Sequence, residues 1–148
     1  MPLAEILQHK GSRVLGISPQ STLAEVVQKL VKNNCGSLTV CDDNDSTRLL
    51  GIITERDILR ACASHKAPLD QVLVADLMSS DLATCTPRDS VQDAMGIMTE
   101  RRIRHLPIVD EQGKLVGIVS IGDLVKHQHD QLTMENHYLK SYLHDTPR

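Results

Sequence analysis

Apolar residues Leu23, Val26, Val27, Leu30 and Val31 recur every three or four positions, the period of a helix with one apolar stripe. Thr22, followed three residues later by Glu25, forms a capping box that sets the start of that helix. A strand-like run follows, Ser37-Leu38-Thr39-Val40-Cys41, and then a polar turn, Asp42 to Ser46. Leu49 to Thr54 is apolar enough to be a strand buried on both faces, and Glu55 to Ala63 closes the unit as a helix. The same signals return further along the chain. Aligning Pro19 with Pro87, an offset of 68 residues, brings Ser90 and Asp93 onto the capping box and Val91, Ala94, Met95 and Met98 onto the stripe. His105 to Val109, the turn Asp110 to Gly113, Leu115 to Ser120 and Ile121 to about His129 complete the second copy. The pattern therefore predicts an α/β (α+β) chain built from two βαββα repeats. The expected units are 14–63, a connector 64–80 with a short helix after Pro68, 81–130, and a polar helical tail 131–148.

The repeat also duplicates a candidate site. Gly51-Ile52-Ile53-Thr54-Glu55-Arg56-Asp57 is echoed by Gly117-Ile118-Val119-Ser120-Ile121-Gly122-Asp123. In each, a hydroxyl lies three residues after a glycine and a carboxylate six after it, where a strand passes into a helix. Glycine at a strand end lets another backbone or a flat ligand approach. The hydroxyl and the free N–H groups of the helix start can donate to a phosphate, which the helix dipole also favours. An ionised carboxylate can accept from both vicinal hydroxyls of a ribose. Each junction thus carries half of a nucleoside phosphate site. One aspartate in the first turn of a helix is ordinarily only a dipole-compensating residue; two at the same distance from a repeated glycine and hydroxyl shift the balance toward a ligand role, more for Asp123 than for Asp57.

Composition narrows the partners. Aromatic residues make up 1% of the chain, Tyr138 and Tyr142 alone, so the core is aliphatic and no platform for stacking bases exists. With a formal charge of -3, a broad phosphate-tracking surface is not expected, and nucleic acid is excluded as a partner. No apolar run is long enough to span a membrane, and the start Met1-Pro2-Leu3-Ala4-Glu5 is not that of a signal peptide. Cys35, Cys41, Cys62 and Cys85 show no Cys-x-x-Cys pairing, which favours reduced thiols and a cytoplasmic location. No metal site is expected, since His127 and His129 fall on different faces of one helix. No nucleophile, base and orienting group stand together, so an enzyme is not expected.

The repeated Gly-hydrophobic-hydrophobic-Thr/Ser-x-x-Asp motif, with the units around it from about Val14 to Lys126, resembles the cystathionine β-synthase (CBS) domain pair, or Bateman module. The stretch Met98 to Pro107 resembles the small stand-alone members. The resemblance implies one pseudo-twofold module with two clefts for adenosyl ligands: AMP, ATP, NAD(H) or S-adenosylmethionine. One cleft would place Asp123 and Ser120 on ribose and phosphate, Ile118 and Cys35 beside the base, and Ser12, Gly36 and His105 around the rim. The other would use Asp57 on ribose and Thr54 and Arg56 toward phosphate, with Ile52, Ile103, Ser80, Arg104 and Ser37 nearby. Arg56 stands where the second copy has Gly122, and no proline in Cys35 to Thr39 matches Pro107, so the two clefts should differ in affinity. The function implied is a non-catalytic, energy-sensing regulatory module, working as a homodimer on an unidentified partner protein. The alternative is a ligand-free dimerisation scaffold. NADP should bind more weakly than NAD, because its 2′-phosphate would face an ionised carboxylate, unless an arginine reaches that phosphate.

Overall fold

Both repeat helices begin and end as their caps dictate. In α2 (Leu23–Asn33) the Thr22 hydroxyl accepts from the Glu25 N–H at 3.3 Å. In α5 (Val91–Arg101) the box is reciprocal: Ser90 Oγ accepts from the Asp93 N–H at 3.0 Å, and Asp93 Oδ2 accepts from the Ser90 N–H at 3.2 Å. The helices stop at matching left-handed residues, Asn34 (φ 49°) and Arg102 (φ 56°). There the Cys35 N–H reaches back to the Leu30 carbonyl and the Ile103 N–H to that of Met98, satisfying carbonyls the helix ends leave open.

A computed structural model describes residues 1–11, 14–64 and 67–145. In chain order it contains α1 (Leu3–Lys10), β1 (Gly16–Ile17), α2, β2 (Ser37–Asp42), β3 (Asp45–Thr54), α3 (Glu55–Ser64), a 3₁₀ turn (Leu69–Gln71), α4 (Val74–Leu77), α5, β4 (His105–Val109), β5 (Leu115–Ser120) and α6 (Ile121–Asp145). The chain is α+β, with the two βαββα copies expected from the sequence. In the first, β1 runs parallel to β2 and β2 antiparallel to β3, Val40 opposite Gly51. In the second, β4 and β5 are antiparallel with Ile108 opposite Gly117, and the leading strand shrinks to one parallel bridge of Cys85 with Ile108. Asp45 and Ser46, expected in the turn, belong to β3, which starts at Asp45 and not at Leu49, because the chain reverses tightly at Asp43 and Asn44, where Asp42 Oδ1 accepts from the Asn44 N–H. The tail is not a separate helix; α6 continues without a break to Asp145.

Each repeat is completed by a segment that lies next to the other repeat in sequence. Leu3 and Ile6 of α1, which the periodicity did not disclose, are buried with Val91, Met98, Leu106, Ile108, Val119 and Leu124 of the second copy. Val74 of α4 is buried with Leu23, Val26, Leu38, Val40 and Ile53 of the first. The hydrogen bonds repeat the exchange. The Leu3 and Ala4 N–H groups donate to the Asp89 and Pro87 carbonyls, and those of Val74 and Ala75 donate to Ser21 and Pro19.

The repeated glycines serve this packing. A Cβ on Gly51 would stand 2.8 Å from Met78 Sδ and from the Ser79 carbonyl oxygen, and one on Gly117 would stand 2.6 Å from Leu7 Cδ2. Ser79 and Ile52 also exchange two backbone hydrogen bonds of 3.0 Å, which fixes that approach. Gly51→Ala is therefore expected to cost about 1–3 kcal/mol through overpacking. Gly96→Ala, in α5 with nothing within 4 Å of the added carbon, should instead add about 0.5–1 kcal/mol. Urea midpoints moving in the same direction for both would contradict this account of Gly51.

Candidate nucleotide clefts between the repeats

Both motif junctions form strand-to-helix caps, and both aspartates have a structural task. At the start of α3, Asp57 Oδ2 accepts from the Thr54 N–H at 2.9 Å and from its hydroxyl at 3.2 Å. At the start of α6, Asp123 Oδ2 accepts from the Ser120 N–H at 2.8 Å, and Ser120 Oγ accepts from the Asp123 N–H at 3.1 Å. The dipole-compensating role is thus real, but it occupies one oxygen of each carboxylate. Oδ1 of each takes no hydrogen bond from the described residues.

The Asp57 junction opens onto a cleft of about 810 Å³ between the repeats. Ile52, Thr54, Arg56 and Asp57 line it from the first repeat, and Ile103, Arg104, His105 and Pro107 from the second. Gly36, Ser120 and His105, grouped from the sequence with the other cleft, all line this one. Pro107, unable to donate to a strand partner, faces it. Ser37 is buried opposite Thr54 in the sheet, and Ser80 is exposed beside the lining residue Ser79. Neither contributes to the lining.

Arg60, Arg101 and Arg102 join Arg56 and Arg104 around this cleft, facing Glu55, Asp57 and Asp81, so cations outnumber carboxylates. The sequence showed Arg101 to Arg104 as a charge run. What it could not show is that the end of α5 comes to lie across from the start of α3.

The Asp123 junction is occupied from within. Lys10 Nζ lies 2.6 Å from Asp123 Oδ2 and donates to the Ile118 carbonyl at 2.8 Å. Partial burial opposes ionisation of Asp123, but hydrogen bonds from Lys10 and Ser120 outweigh it and hold the carboxyl below its ordinary range. Cys35 packs at the edge of the first core, and Ser12 lies outside the described residues. A separate hollow of about 540 Å³ beside β1, lined by Gly16, Ser18, Lys29 and Thr39 among others, holds none of the expected residues.

His105 sits between the two junctions. Its ring carbon Cε1 would lie 3.7 Å from a Cβ on Gly36. Burial first, then the Lys10 and Arg104 cations, push its pKa below the ordinary histidine value. The folded chain thus resists a proton that the unfolded chain accepts, so His105 costs stability as pH falls below about 6.5 and costs nothing well above it. The loss of urea stability between pH 7.5 and 5.5 should be smaller in His105→Gln than in the parent; an equal or larger loss would contradict this.

Comparison with known proteins agrees with this architecture. The family model described as "CBS domain" matches twice, at residues 5–64 and 74–130. The mitochondrial CBS domain-containing protein CBSX3 of Arabidopsis thaliana is 33% identical, over 93% of this chain and 71% of its own length. The CBS-domain protein ATU1752 of Agrobacterium tumefaciens superimposes with a TM-score of 0.80 at 34% identity, covering 86% of this chain and 99% of the other. The CBS domain protein PAE2072 of Pyrobaculum aerophilum, solved complexed with AMP, gives a TM-score of 0.75 at 30% identity, covering 83% and 89%.

Proposed function

The chain belongs to the CBS-domain family, and from that premise we propose that it is a non-catalytic regulatory module that binds an adenine nucleotide between its repeats. The observation that carries this reading is the Asp57 cleft, where one space gathers a free carboxylate oxygen, a helix start and an excess of arginines. Asp57 Oδ1 accepts from the ribose. The Arg56 and Asp57 N–H groups at the start of α3 and the side chains of Arg56 and Arg104 receive the phosphate, the Thr54 hydroxyl turning from Asp57 to join them, and Ile52 and Ile103 flank the base. The AMP complex of PAE2072 supports an adenosyl ligand; AMP, ATP, NAD(H) and S-adenosylmethionine are the candidates.

Both repeats wall the cleft, so a ligand contacts both and favours the packing that fits it. The response is as large as its differential affinity for the two arrangements. In this reading a partner protein senses that packing.

A twofold homodimer and a cytoplasmic setting complete the proposal. Val31, Leu59 and Val125 are exposed apolar positions on α2, α3 and α6, which suit a helix-to-helix interface in a closed dimer; a monomer mass by light scattering would remove that part. All four cysteines are free, as a reducing compartment would keep them. No helix among the described residues is long and apolar enough to cross a membrane.

A thermal-shift panel of AMP, ADP, ATP, NAD⁺, NADH and S-adenosylmethionine tests the proposal. At one hundred times its Kd, a ligand that binds only the folded chain adds about 2.7 kcal/mol and raises Tm by roughly 5–10 °C. No shift with any of them would favour the dimerisation scaffold.

A further inference from the structure

The two junctions carry matching motifs in different surroundings. Helix α1 places Leu7 against Gly117 just as the residue capping α4, Met78, stands against Gly51. Beyond that shared contact the segments diverge, since α4 ends at Leu77 whereas α1 continues to Lys10. The additional turn delivers an ammonium into the Asp123 junction. Counting on equally from Met78 reaches Asp81, which lines the Asp57 cleft and whose side chain, 98% exposed, reaches only Arg101 at 3.8 Å. One cleft therefore receives a cation on its aspartate where the other receives a carboxylate at its rim.

Lys10 does more than neutralise Asp123. Its ammonium donates to the carboxylate and to the Ile118 carbonyl together, the acceptors that a ribose hydroxyl and a base amino group entering this junction would need. Its position is set by the docking of α1, whose Leu3 and Ile6 are buried in the second core. The side chain thus engages the carboxylate, through Oδ2, and the carbonyl with no ligand required. We infer that Lys10 is a specificity-determining residue that closes the Asp123 cleft as an internal ligand, so that nucleotide enters the Asp57 cleft first and the chain binds one tight equivalent. This rests on the reading that the clefts take adenine nucleotides.

Calorimetric titration of AMP into four proteins tests it: the parent, Asp57→Ala, Lys10→Met and the double variant. Methionine keeps an apolar stem of similar reach without the charge, and Lys10→Gln serves as a second replacement if Lys10→Met lowers the melting temperature. In the Asp57→Ala background, where the Asp123 cleft alone remains, removing Lys10 should tighten AMP binding at least tenfold; the single Lys10→Met variant should bind two equivalents where the parent binds one. Equal or weaker binding by the double variant than by Asp57→Ala would overturn the inference and make Lys10 a contact of the ligand. If Asp57→Ala binds as well as the parent, the assignment of Asp57 fails, while the comparison with and without Lys10 still decides this one. Binding by none of the four overturns both.

Discussion

Leu3→Ala is expected to destabilise the whole chain by about 2–5 kcal/mol, although Leu3 lies ahead of both repeats in sequence. Its side chain is fully buried in the second core, and its backbone is fixed by the hydrogen bond of 2.8 Å from the Leu3 N–H to the Asp89 carbonyl. Truncation leaves a cavity that the second repeat cannot close without moving α1. Leu132→Ala, on the projecting part of α6 and 61% exposed, is the control and should stay within about 0.5 kcal/mol. Urea unfolding that gave the two variants equal midpoints would show that α1 is not part of the second core.

That packing marks where the sequence was readable and where it was not. The repeat helices, the paired strands and the two strand-to-helix junctions were legible because each carries its own local signal: a cap, a stripe, or a glycine ahead of a hydroxyl and a carboxylate. Helix α1 has only eight residues, too few to show a clear period, and its partner core lies some ninety residues away in the chain. Gly51 and Gly117 were read as points of close approach, and what approaches is Met78 and Leu7. The two candidate groups were partly separable, but Gly36, His105 and Ser120 line the cleft of the opposite group, since the repeats face each other across one shared space. Lys10 carried no signal at all. A lysine near the end of a helix is ordinary, and only the docking of α1 brings it to Asp123.

Asp57→Ala is the substitution expected to matter most for binding. It removes a charged hydrogen-bond acceptor worth about 1.5–3 kcal/mol, or roughly 10- to 150-fold in affinity. The same carboxylate caps α3 through two hydrogen bonds from Thr54, so the variant should also lose about 0.5–2 kcal/mol of stability. Asp57→Asn separates the two effects, because the amide oxygen can still accept from the Thr54 N–H while the charge is gone. Asn should hold the fold near its parent stability and still bind AMP more weakly. Titration showing parent-like affinity in both variants would remove Asp57 from the site.

The central claim is that a carboxylate in an inter-repeat cleft grips a ribose. NAD against NADP tests it poorly, since five arginines surround the cleft and any of them could meet a 2′-phosphate. The direct measurement is competition of AMP and 2′-deoxy-AMP against one labelled adenine nucleotide, because the pair differs only in a hydroxyl that the carboxylate would accept from. The account predicts displacement by AMP at concentrations at least about tenfold lower than 2′-deoxy-AMP requires, the scale of one hydrogen bond to a charged acceptor. Equal displacement by the two would contradict it.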